Sequence, residues 1–334
     1  MSHHILHLLS PELRVRCELD RLLIKDRAAG TERAVPLQDI AVIISAAPDM
    51  SITAGALRRM ADLGVLLLIC NERFEPACLT LPYYRATNTE LLRRQIEWTA
   101  QWKLDCWRQV ITAKVRHQAT VLKAGGSHWH SALEEIARRC ESAAGTPPTS
   151  AIGTRPPLSH FTLTRRAGLH ATTPEACESR AARLYWRRFL PPLTATLGTG
   201  ELGRTTGTRA GVNGMLDYGY AILRTAVLRS LAAHGFIAAI GIAHAAKAGS
   251  HALADDLMEP LRPFMDATLR DFLATGPQDM AAWVRCAPTV LTQEVRMDRA
   301  KVRLLHAIDL YVRSFASAAL ARAVPPLKIP SLSL

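Results

Sequence analysis

Apolar and polar positions alternate through the first part of the chain and then change period. Glu12 to Leu19 (ELRVRCEL) is apolar at every second position, the pattern of a strand with one buried face. Arg21 to Asp26 (RLLIKD) follows a tight turn at Asp20, and His3, His4 and His7 fall among apolar residues of an earlier predicted strand, where they read as surface groups. Ala41 to Ser45 (AVIIS) and Val65 to Cys70 (VLLLIC) are continuous apolar runs of buried-strand length. Between them, Ser51 to Gly64 predicts a helix with Ser51 as N-cap and Gly64 as the residue just past its end. Leu57, Met60, Ala61 and Gly64 would face the sheet.

From Asn88 the period is helical. Leu92, Ile96, Trp102, Trp107, Val110, Ile111 and Val115 fit one long amphipathic helix capped by Thr89. Trp98, Trp102 and Trp107 sit at helical spacing, which favours core over a base-stacking platform. Residues 144–173 hold four prolines and read as a flexible loop, and Thr194 to Gly211, rich in Gly and Thr, reads as a flexible connector. The GxG fragments there lack the strand-turn-helix context of a nucleotide fingerprint. A helix begins near Pro174, and Val212 to Ala233 is the clearest helix, with Gly235 just beyond it. Leu253 to Leu273 is helical but interrupted by Pro260 and Pro263; Val295 to Ala321 is a last helical run, and 323–334 is a proline-marked, mobile tail.

Composition narrows the function. The 334 residues carry a formal net charge of +12, which points to a polyanionic partner. The seven cysteines are odd in number and show no CxxC spacing, which argues against a zinc site or a disulfide framework and fits a reducing cytoplasm. No secretory signal and no membrane span is evident.

Three residues could carry chemistry, each with a plain alternative. Glu178 is flanked by Arg180, Arg183, Arg187 and Arg188 and could be a surface ion-pair partner. His244 could be an ordinary buried histidine, and Asp256 a solvated helix residue. An imidazole nitrogen with two carboxylates also suits a divalent cation that handles phosphate oxygens.

The segments around them resemble one family. Glu178 to Trp186 (ESRAARLYW), Val212 to Arg224 (VNGMLDYGYAILR), Gly241 to His244 (GIAH) and Asp255 to Pro263 (DDLMEPLRP) resemble the CRISPR-associated Cas-one family, the spacer-acquisition integrases. Ser51 to Glu72 and Leu81 to Trp98 resemble its N-terminal half, so the likeness spans most of the chain. DDLMEPLRP looks most like members from type II systems.

The resemblance implies an α+β fold: a β-rich, sandwich-like dimerisation domain with one helix over 1–86, and a larger all-α catalytic domain over 87–334. It implies a homodimer that assembles with the small Cas-two protein into a heterohexamer. Its implied reaction joins the 3′-OH ends of foreign double-stranded DNA to CRISPR repeat DNA by transesterification, in the prokaryotic cytoplasm. The metal ligands carry over to Glu178, His244 and Asp256, for Mg²⁺ or Mn²⁺, with Asp256 preferred to Asp255. Glu259 is expected to point away, pairing with Arg262.

Arg165, Arg166, Arg180, Arg183, Arg187, Arg204, Arg209, Arg224 and Lys247 are candidates for the DNA backbone. Tyr185, Asn213 and Asp255 are candidate supporting residues, Tyr185 by orienting a phosphate or DNA end. Three positions depart from the family pattern: Asp217 stands where asparagine is common, Leu253 replaces an acidic residue found in some members, and Ser179 replaces the usual glycine. Competing readings are a transposon-borne integrase, which would carry an extra DNA-binding domain for which no room remains after Ala321, a structure-specific DNA nuclease, and a non-catalytic DNA-binding scaffold.

Overall fold

The computed structural model describes residues 4–70, 76–80, 88–142, 173–201, 203–208, 210–244, 251–275 and 279–334. Its N-terminal part contains strands β1 (His4–Leu8), β2 (Leu13–Glu18), β3 (Arg21–Asp26), β4 (Thr31–Pro36), β5 (Ile40–Ser45) and β6 (Ser51–Ile52). Helix α1 (Ala54–Asp62), then β7 (Leu66–Cys70) and β8 (Pro76–Thr80), complete it. Two four-stranded sheets form, in the orders β1-β5-β7-β8 and β4-β3-β2-β6. The alternating segment becomes β2, buried at Leu13 and Val15 and exposed at Arg14 and Arg16. It turns into β3 through Leu19 and Asp20, both at positive φ (46° and 60°), the two-residue geometry that matches strand twist.

The continuous apolar runs become β5 and β7, which pair in parallel at the centre of the first sheet. That sheet is covered on both faces. Leu6, Leu8, Ile43 and Leu67 join Val15, Leu22, Ile24 and Met60 in one core, while Val42, Ile44 and Leu68 join the core of the helical part. Strands buried on both sides have no polar face to alternate with, hence the unbroken runs.

The helical part comprises α2 (Thr89–Glu97), α3 (Ala100–Ala124), α4 (His130–Ser142), α5 (Pro174–Leu197) and α6 (Gly211–His234). It continues with α7 (Ala252–Met258), α8 (Arg262–Thr275), α9 (Met280–Cys286), the hairpin β9 (Glu294–Met297) and β10 (Ala300–Arg303), and α10 (Leu304–Leu320). The three tryptophans are core: Trp98 stacks on Trp102 with ring centroids 4.6 Å apart, and both meet Phe315. No helix of the described residues is long and apolar enough to cross a membrane.

Several expectations are corrected. The helix expected from Ser51 is capped by Thr53, whose hydroxyl accepts from the Ala56 amide, and Ser51 belongs to β6. The single long helix from Asn88 is two, because Trp98 leaves helical geometry and Thr99 caps α3; Asn88, not Thr89, caps α2. Ile96 consequently lies 70 % exposed. The run beginning at Val295 opens as a hairpin rather than a helix, with Asp298 at φ 52° in its turn.

The tail expected to be mobile is anchored. Gln109 holds it through the Pro325 carbonyl and the Leu327 amide, and Arg296 pairs with Ser331 as an added strand bridge. The 144–173 loop lies outside the described residues except Thr173, which caps α5.

The Gly/Thr connector is also fixed, not flexible. Helix α5 runs to Leu197 before Gly198 ends it at φ 65°. The Glu201 carboxylate then accepts from the Val212 and Asn213 amides, supplying the cap that the α6 N-terminus lacks from its own Ala210. Asp217 accepts from the Gly207 and Thr208 amides and pairs with Arg204. The chain therefore uses the acid at 217 to hold this connector against α6.

Candidate active site

Helix α3 crosses the helical part as its central rod, and on its buried side carries Lys114 and His117 among Ile111, Val115 and Gln118. Helix α5 brings Glu178 to one side of Lys114. The turn Glu259–Leu261, between α7 and α8, brings Glu259 to the other. The Lys114 ammonium donates to Glu178 Oε1 at 2.7 Å and lies 2.6 Å from Glu259 Oε2. The second contact is a close ion pair without hydrogen-bond alignment, so Glu259 Oε2 is buried with no aligned donor. Glu259 Oε1 faces Arg262 Nε at 2.9 Å. Burial would raise the Glu259 pKa, but the Arg262 and Lys114 cations outweigh it and keep the carboxylate well below its ordinary range.

His117 holds this turn in place. Its ring is buried, and Nδ1 donates to the Pro260 carbonyl at 2.7 Å. Burial pushes its pKa down to about 4 against the raising effect of the Pro260 hydrogen bond, so near pH 7 the ring is neutral with its proton on Nδ1.

His244 ends a turn built on Asp256. The Asp256 carboxylate is fully buried; Oδ2 accepts from the Ile242 and Ala243 amides at 2.6 and 3.0 Å, and Oδ1 from the His244 amide at 3.1 Å. Oδ1 also accepts from His244 Nδ1 at 2.5 Å. A carboxylate can only accept here, so a proton sits on Nδ1, and when the ring is neutral its lone pair is on Nε2. That hydrogen bond raises the His244 pKa against the opposing effect of burial, with the Asp256, Glu259 and Glu178 charges adding to it. Trp107 stands edge-on to the imidazole at 5.9 Å. Gln95 fixes the start of the same segment, donating to the Ile237 and Ile240 carbonyls and accepting from the Ile237 amide. Gly241 is required by close approach: a Cβ there would lie 2.5 Å from Asp256 Oδ2 and 3.0 Å from the His244 carbonyl.

Of the expected triad, the structure joins His244 directly to Asp256 and puts Glu178 across Lys114 from Glu259. Asp256 is spent on three amides and an imidazole. In this arrangement Asp256 orients His244. Glu259 does pair with Arg262, but its other oxygen faces Lys114 rather than away. Among the described residues no three His, Cys, Asp or Glu side chains are already drawn together around one point. A cation, Lys114, stands between the two glutamates instead. The donor chemistry nonetheless fits a divalent ion: two carboxylates already share one positive charge, one oxygen is buried and unaligned, and a tautomer-fixed imidazole presents Nε2.

The supporting residues divide. Asp255 pairs with Arg224 at 2.6 Å. Tyr185 is fully buried and its hydroxyl donates to Asp266 Oδ2 at 2.7 Å, so it packs rather than meets a DNA end. Asn213 is likewise buried and bonds Glu201, Arg204, Thr205 and Gly203 in the connector. Arg204 pairs with Asp217 and Asn213, with its guanidinium over Trp186 and Tyr220. Arg180, Arg183 and Arg187 form an i, i+3, i+7 stripe on the far side of α5 from Glu178; Arg183 and Arg187 are exposed. Arg165, Arg166, Arg209 and Lys247 lie outside the described residues.

Sequence reading missed Lys114 and His117, and set Glu259 aside as the partner of Arg262 alone. The signal was present: a lysine between Ile111 and Val115 sits on the apolar stripe of its helix, where an unpaired charge would be untenable.

The family model for CRISPR-associated protein Cas1 matches residues 6–282. A CRISPR-associated endonuclease Cas1 of Neisseria meningitidis serogroup C is 28 % identical over 316 residues, covering 93 % of this chain and 91 % of that protein. One of two from Pyrobaculum aerophilum is 26 % identical over 257 residues, covering 77 % and 78 %. Among solved structures, a casposase bound to an integration product superposes with a TM-score of 0.74 at 18 % identity, over 95 % of this chain and 90 % of that one. A Cas1 protein from Thermotoga maritima gives 0.73 at 12 % identity, over 96 % and 99 %. A Cas6-RT-Cas1–Cas2 complex gives 0.70 at 16 % identity, over 98 % of this chain but 36 % of the longer one. At these identities the structural likenesses speak for the fold.

Proposed function

Since the chain belongs to the CRISPR-associated Cas1 family, we propose that it is a metal-dependent DNA integrase and endonuclease of CRISPR adaptation, with Glu178, His244 and Glu259 as the residues that hold the metal. The observation that carries this reading is a buried glutamate, Glu259, and a half-buried one, Glu178, sharing one cation beside an imidazole whose Nδ1 is tied to Asp256. Relatives named as Cas1 endonucleases, and a casposase solved on an integration product, support the reaction class.

A divalent cation bound there would act as a Lewis acid on the phosphate and stabilise the leaving oxygen. The protein's own part is positioning. Asp256 fixes the His244 tautomer, His117 fixes the turn that carries Glu259, and Arg262 keeps Glu259 ionised. In transfer, a DNA 3′-hydroxyl oxygen forms the new bond to phosphorus while the bond to the repeat-strand 3′ oxygen breaks. Water in place of that hydroxyl gives hydrolysis. The basic balance of the chain supplies backbone affinity for DNA. A Cas2 partner is part of this reading, supported by the fold shared with a Cas1–Cas2 complex, and so is the homodimer.

The test is transfer of a short duplex with free 3′-hydroxyls into a supercoiled repeat plasmid, with Mn²⁺ and the cognate Cas2. Wild type should give joined product and Glu178→Ala none. Equal product from both would remove Glu178 from the chemistry, and none from either with DNA still bound would favour a scaffold.

A further inference from the structure

The two glutamates of the site do not stand apart waiting for an ion. Lys114 Nζ lies within 2.7 Å of both, from a side chain only 11 % exposed. A lysine stem buried this far cannot leave its ammonium unpaired, and two glutamates cannot approach one point without a positive charge between them. Arg262 adds a second fixed cation on the other oxygen of Glu259. The charges of Glu178 and Glu259 are thus already balanced by Lys114 and Arg262. Adding a divalent ion among them would leave net positive charge at a partly buried site, which burial disfavours.

Two changes restore balance: the ammonium withdraws, or an anion such as a DNA phosphate arrives with the metal. We propose that Lys114 is the internal counter-cation of this site. Its ammonium competes with the divalent ion for Glu178 and Glu259, keeps metal affinity low in the free protein, and on metal entry turns to the incoming phosphate. The inference rests on the metal-site reading above, and makes metal loading and DNA binding mutually reinforcing through one side chain.

The experiment is Mn²⁺ binding by electron paramagnetic resonance to the purified full chain, with and without a short DNA duplex, for wild type, Lys114→Met, Lys114→Gln and Lys114→Arg. Lys114→Gln keeps hydrogen-bond donors for both glutamates and guards against a folding failure of Lys114→Met. The expected result is Mn²⁺ held at least about fivefold more tightly by the neutral variants than by wild type, the lower end of ordinary coupling between sites. Lys114→Arg should bind no more tightly than wild type. DNA should tighten Mn²⁺ binding to wild type more than to the neutral variants.

Thermal melting gives a second readout. The neutral variants should melt lower than wild type without metal and recover more on adding Mn²⁺. Equal or weaker Mn²⁺ binding by both neutral variants, with Glu259→Gln abolishing binding in wild type, would overturn the competition while leaving the metal site standing. Absence of specific Mn²⁺ binding in every variant would overturn the metal site itself, and the competition with it.

Discussion

Asp256 and Glu259 stand three residues apart, one closed by backbone amides and the other with a buried oxygen lacking an aligned donor beside a lysine. Sequence spacing cannot separate them, since both are acids in the same short segment. What separates them is which backbone amides point where, and that is decided by the turn at 241–244. The two residues should therefore fail differently. Asp256→Asn turns an amide toward the amides it should accept from, and should cost about 3 kcal/mol of stability, the scale of hydrogen bonds to a charged group. Glu259→Gln should lower the melting temperature, because Lys114 and Arg262 lose a buried partner, and should abolish Mn²⁺ binding so that added Mn²⁺ restores no stability. Calorimetric melting and Mn²⁺ titration of both variants check this; Mn²⁺ binding kept by Glu259→Gln and lost in Asp256→Asn would reverse the two roles.

Elements position these residues through a few tight contacts. Gly241 is one: the close approach of its Cα to Asp256 and to the His244 carbonyl leaves no volume for a methyl group. Gly241→Ala should destabilise by about 1–3 kcal/mol, the usual cost of overpacking, and lower activity through His244. Unchanged melting would show that the turn can yield. The connector before α6 is another. Asp217 binds two of its amides and Arg204, so Asp217→Asn should speed limited tryptic cleavage at Arg204 several-fold, and an unchanged rate would mean that Glu201 and Asn213 suffice.

Strands β2 and β3 and the α6 helix were legible from their periodicity, and β5 and β7 from short unbroken apolar runs of strand length. The split at Trp98 was not, because its apolar face continues across it and only the N-cap at Thr99 marks the break. The connector and the tail were misread for a shared reason. Polar and proline-rich segments look mobile until their side-chain partners, here Asp217 and Gln109, are placed by distant helices.

At the scale of the whole molecule, a buried polar chain runs away from the site. Glu259 meets Arg262, Arg262 lies over the Tyr220 ring, and Tyr220 and Tyr185 both donate to the buried Asp266. Burial pushes the Asp266 pKa up to about 6, against the two tyrosine hydrogen bonds that lower it. A carboxyl raised in the folded state favours folding fully below its ordinary value and loses that contribution as pH climbs toward 6. Asp266→Asn carries no such titration. Its stability relative to wild type should therefore rise between pH 4 and pH 7, by up to about 3 kcal/mol. A difference that stays flat across that range, measured by denaturant unfolding, would contradict the assignment.

The family was legible in the sequence because several segments agree at once along the chain. The pairing of Glu178 and Glu259 across Lys114 was not, because α3, α5 and the turn before α8 are brought together only by the fold. The central claim is that Glu178, His244 and Glu259, not Asp256, surround the divalent ion. Anomalous scattering from a Mn²⁺-soaked crystal tests it most directly. The account predicts a manganese peak bounded by the two glutamates and His244 Nε2, with Asp256 still bonded to His244 Nδ1. A peak seated on the Asp256 carboxylate, with Lys114 still between the glutamates, would contradict it.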